Sequence, residues 1–131
     1  MPFETTLFQL PCGARAVRME TTGTLSAEDA QEIVLRVQMG GELHDLPALI
    51  MAKELSSISS EARGVFTRRD DVRNRQTWTA VVMNNPLIRV TANFIMRIQR
   101  SRRTRLFSGE PEALQWLDGQ IRTDLVKKGA S

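Results

Sequence analysis

The sequence is short of most of the residues that carry chemistry. Of 131 residues one is cysteine (Cys12), one is histidine (His44) and none is tyrosine. A single cysteine cannot close an internal disulfide, and Cys12 lies in a turn with only Arg15 as a nearby charge, which does not mark it as reactive. No Cys/His cluster of zinc-binding spacing can be assembled, and His44 between Glu42 and Asp45 in a Gly-rich loop makes neither a metal site nor part of a triad. No metal, cofactor or catalytic residue is therefore expected. Aromatics are also scarce, at five Phe and two Trp, which argues against stacking bases on an aromatic platform. Long apolar runs are missing, so no transmembrane helix is expected. The N-terminus lacks the basic-then-apolar pattern of a secretory signal, which makes a cytoplasmic location the expectation.

One further absence is local. Between Val72 and Gly109 there is no acidic residue, while Arg73, Arg75, Arg89, Arg97, Arg100, Arg102, Arg103 and Arg105 all fall there. Set against a net charge of +3, those eight arginines leave −5 for the rest of the chain. Nonspecific phosphate contact would be allowed by this cluster. Without a helix-turn-helix signature or an aromatic platform, however, nucleic acid is not the expected partner.

What is present suits one α/β domain over residues 1–131, with a folded core from about residue 5 to about residue 126. Hydrophobic residues make up 41% of the chain, enough for one core. Thr5–Leu10 and Ala14–Thr22, split by Pro11-Cys12-Gly13, read as a hairpin. Ser26 is a candidate N-cap with Asp29 in the capping-box position, before a stripe of Ala30, Ile33, Val34 and Val37. Pro47–Lys53 reads as a buried central strand, followed by a helix from about Ser60 to Val72. Thr77–Met83 is a second interior strand, and Asn85-Pro86 opens a helix that runs to about Gln99. Thr104–Phe107 is a last short strand, before a helix with a stripe of Leu114, Leu117, Ile121 and Leu125. The order ββαβαβαβα implies a mixed, mainly parallel sheet flanked by helices.

Four stretches resemble the SpoIIAA-like branch of the STAS superfamily, a fold also described as STAS/Sec14-like. They are TLSAEDAQEI (24–33), PALIMAKELSSISSEARGVF (47–66), TAVVMNNPLIRVTANFI (79–95) and RLFSGEPEALQWL (105–117). The ending F-x-x-x-x-x-A-x-x-W-L is common in that branch. The resemblance implies a bacterial regulatory or interaction module acting through protein association. In the superfamily's anti-sigma-factor antagonists, the turn after the central strand reads Asp-Ser-Ser/Thr-Gly, and the first serine is phosphorylated. Here Ser59 stands at that Asp and Ser60 at the phosphorylated position, so these two are the candidate switch residues. Glu61 and Ala62 replace the second hydroxyl residue and the glycine. With most of the motif changed, Ser60 is expected to act as the N-cap of the helix instead.

The segment 86–99 carries more apolar surface than one core stripe requires. At about 100° per residue, Leu87, Val90, Phe94 and Ile98 form the expected core stripe, and Ile88, Ala92, Ile95 and Met96 extend the apolar arc to about 240°. Ile88, Ala92, Ile95 and Met96 are therefore candidates for an interface, with a homodimer or a regulatory protein partner as the occupant. Arg89, Arg97, Arg100, Arg102 and Arg103 are candidates for binding anions. The alternative function is accordingly a lipid- or anion-binding module that sets the Arg-rich helix 86–100 on an anionic lipid surface.

Overall fold

The computed structural model describes residues 3–37, 46–68, 78–99 and 103–130. Its elements run β1 (Phe3–Gln9), β2 (Arg15–Leu25), α1 (Ala27–Val37), β3 (Ala48–Ile58), α2 (Ser60–Arg68), β4 (Thr79–Val82), α3 (Pro86–Gln99), β5 (Thr104–Phe107) and α4 (Glu110–Ala130). This is the ββαβαβαβα order read from the sequence. His44, with Glu42 and Asp45, lies outside the described residues.

The five strands lie in the sheet in chain order. β1 pairs antiparallel with β2, from Phe3↔Thr21 to Gln9↔Arg15, and every later pair is parallel. The hairpin closes where the Gly13 amide donates to the Leu10 carbonyl at 2.8 Å. Gly13 has a φ of +93°, a conformation that a side chain disfavours.

Chain-order strands joined by crossovers of the usual right hand place α1, α2 and α3 on one face, while α4 after the last strand is free to cover the other. Strand alternation divides the core accordingly. Met19, Leu25, Ala52, Leu55 and Met83 pack with Ile33 of α1 and Ile88 of α3. Ala16, Leu49, Met51, Ala80 and Val82 pack with Ala113, Leu117 and Ile121 of α4.

Capping follows the sequence in two places. Ser26 Oγ accepts from the Asp29 amide at 3.2 Å while Asp29 Oδ2 accepts from the Ser26 amide at 3.0 Å, a reciprocal capping box. Asn85 Oδ1 accepts from the Leu87 amide at 2.9 Å, with Pro86 as the first helical residue of α3.

Two expectations are corrected. β3 does not stop at Lys53. It continues to Ile58, through bulges that keep it paired with β2 as far as Leu25↔Ile58, because Leu55 is buried in the α1–α3 core and holds that stretch in place. On α4, Ala113 takes the buried position and Leu114 packs only partly against the core. Leu125 is half exposed, since the helix runs beyond the residues that bury Leu117 and Ile121.

Candidate functional site

α3 presents a surface that the sequence reading assigned to the interior. Leu87, Val90 and Phe94 are 78%, 69% and 53% exposed, whereas Ile88 is 3% exposed and packs beside Leu55 and Met83. Ala92 lies partly buried against the same cluster. The proposed interface residue Ile88 therefore belongs to the core, Ala92 sits at its edge, and the expected core residues Leu87, Val90 and Phe94 face outward. Ile95 and Met96 fall within α3, but their side chains lie outside the described residues.

The reason is geometric. A 240° apolar arc contains more than one possible core direction, so hydrophobicity alone cannot choose between them. The charge pattern carries a usable signal. Ile88 and Arg97 are nine residues apart, about 900° of rotation, which sets them on opposite sides of the helix. Once Arg97 is turned to solvent, Ile88 must point inward and Val90 must share Arg97's side. Arg97 is indeed exposed and Arg89 is half-buried.

The arginine candidates do not form one cluster. Arg103 sits with its guanidinium 4.8 Å from the ring centre of Trp78. Trp78 packs against the α4 core, on the sheet face opposite α3. The stacked cation is thus separated from Arg89 and Arg97 by the sheet. Arg100 and Arg102 lie outside the described residues.

The serine turn is also rearranged. Ser59, not Ser60, caps α2, its Oγ accepting from the Ala62 amide at 3.0 Å. Ser60 is the first helical residue and is exposed, and its Oγ accepts from Arg63 at 2.9 Å. The strand's extension to Ile58 moves the cap one residue earlier than the acid-rich first turn suggests. Ala62 is fully buried, so the methyl that replaces glycine faces inward.

Trp78 and Trp116 meet edge to face at 5.8 Å, with Phe107 5.5 Å from Trp116. The Trp78 indole donates to Asp124 Oδ2 at 2.6 Å. Nearby, Asp118 Oδ1 accepts from the Cys12 amide at 2.9 Å, and its Oδ2 accepts from Arg122 at 2.6 Å. Partial burial works against ionisation of Asp118 and is the largest single influence, but the bonds from Arg122 and Cys12 together outweigh it. They hold the carboxyl below its ordinary value. Arg18 of β2 bridges Glu20 at 3.1 Å and also Glu110 at the start of α4. Among the described residues no group of three or more His, Cys, Asp or Glu could hold a metal, and no helix is long and apolar enough to cross a membrane.

Among the described residues, a mixed five-stranded sheet carries three helices on one face and one on the other, which is the SpoIIAA-like fold. The chain is similar to an uncharacterised Shewanella loihica PV-4 protein of the DUF3478 family with that fold. The TM-score is 0.65 at 15% identity, over 88% of this chain and 93% of that one. It is also similar to the anti-sigma factor antagonist SpoIIAA in its unphosphorylated form, with a TM-score of 0.56 at 14% identity, over 91% and 98% of the two chains. The chain belongs to the family DUF7793, a domain of unknown function, which matches residues 16–121. No curated protein matches it.

Proposed function

We propose that this chain is a non-enzymatic regulatory module that works through protein association, with the outward side of α3 as its contact surface. The observation that carries this reading is the exposure of Leu87, Val90 and Phe94 on one side of two turns. Keeping three large apolar side chains in water forgoes the favourable free energy of their burial, and contiguous exposed apolar patches mark interaction sites. The fold shared with an anti-sigma factor antagonist agrees with such a role. A photo-reactive phenylalanine analogue at Val90 should trap a protein partner in the producing cell, and the same group at Glu112 on α4 should not. Equal trapping at both positions, or none, would remove the reading.

Homodimerisation is a second reading, supported by a different surface. β1 is an outer strand of the sheet, and Glu4 is the only charge among its seven residues. Such an edge has little protection against pairing with a copy of itself about a two-fold axis. Sedimentation at micromolar concentration should give a dimer, and Leu7→Lys a monomer. A wild type that stays monomeric would end this reading and leave the first intact.

A further inference from the structure

From the shape and charge of the α3 ridge we infer that its occupant is an acidic amphipathic helix of a partner protein. This rests on the association reading above and names the partner's chemistry. Leu87, Val90 and Phe94 stand at i, i+3 and i+7, a line of about 10 Å along the helix. Such a line is a convex ridge, the shape that packs into the groove of a second helix.

Charge selects the partner. The described charges of α3 are Arg89 and Arg97, with no acid in the helix. Arg97 is exposed at the C-terminal end of the ridge, three residues beyond Phe94. Because the chain from Val72 to Gly109 lacks carboxylates altogether, that stretch has none to offer these cations. A carboxylate flanking an apolar stripe on the incoming helix would complement Arg97, which lies beside Val90, whereas half-buried Arg89 is turned about 100° away from Val90. A second copy of α3 would bring the same sign of charge and the same lack of acid. An anionic bilayer fits less well, since three apolar side chains make a narrow insertion surface and the rest of the chain carries −5.

Two synthetic helical peptides about five turns long test this, sharing one leucine stripe and flanked by glutamate in one and lysine in the other. Binding to the whole protein is read by fluorescence anisotropy, with phosphatidylserine vesicles as a third probe. The glutamate peptide should bind about fivefold more tightly than the lysine peptide at low salt, the difference set by the exposed contact at Arg97, attractive for one peptide and repulsive for the other. That margin should shrink at 1 M salt, where screening falls to about 3 Å. Arg97→Glu should narrow or reverse the preference. Val90→Asp, checked for native circular dichroism, should lose both peptides. Equal affinities, a preference for lysine, or no binding by either peptide would overturn the inference, as would vesicle binding that depends on Val90 and exceeds peptide binding. A non-acidic partner trapped at Val90 in the cell would overturn it while leaving the association reading standing.

Discussion

The Ala62 amide donates to Ser59 Oγ at 3.0 Å, which satisfies one of the free amides at the start of α2 and makes Ser59 its cap. Ser59→Ala should therefore destabilise the protein by about 1 kcal/mol, whereas Ser60→Ala should cost only a few tenths. Chemical denaturation of the two variants checks the order. A larger loss from Ser60→Ala would assign the cap to the wrong serine. Of the two candidate switch positions only Ser60 is exposed, with its hydroxyl accepting from Arg63, whereas Ser59 is half-buried with its hydroxyl held by the Ala62 amide.

Leu87 and Ile88 are neighbours in sequence with opposite surroundings. Truncating Ile88 to alanine removes methyl groups packed beside Leu55 and Met83 and should cost about 2–5 kcal/mol. Leu87→Ala should change stability by no more than about 0.5 kcal/mol. Thermal melts of the pair would reverse in order if the ridge were part of the core.

The Trp78–Asp124 bond ties the start of β4 to the C-terminal half of α4. Asp124→Ala leaves the indole N–H without this partner and should lower stability by about 1–2 kcal/mol. Tryptophan emission, which reports both Trp78 and Trp116, should shift to the red as their packing loosens. Unchanged emission together with unchanged stability would show that the bond contributes nothing.

Asp118 joins the β1–β2 turn to α4 through the Cys12 amide. Its depressed pKa means that folding favours the ionised carboxylate. Its contribution is thus complete above the unfolded value of about 3.9 and is lost as pH falls through the lower folded value. Asp118→Asn should destabilise the protein at neutral pH and flatten its acid-unfolding profile below about pH 4. A variant whose acid profile parallels the wild type would show that this carboxylate is not coupled to folding.

Local chemistry was enough to read much of this protein from its sequence. Ser26 with Asp29, and Asn85 with Pro86, are helix starts because their side chains or ring suit the first turn wherever it lies. The β-rich run Thr77–Met83 and the regular succession of strands and helices imply a mainly parallel sheet before any contact is known. The carboxylate-free stretch from Val72 to Gly109 is likewise a property of sequence. Long-range packing decided the rest. Ser59 became the cap because β2 carried β3 on to Ile58, a pairing between residues more than thirty positions apart. Arg103 left the arginine group because Trp78 holds it on the other face of the sheet. The outward ridge of α3 depended on which side of a broadly apolar helix met Leu55 and Met83. Hydrophobicity sets how much of a helix is buried, but only the neighbour it packs against sets the direction, and that neighbour is distant in sequence.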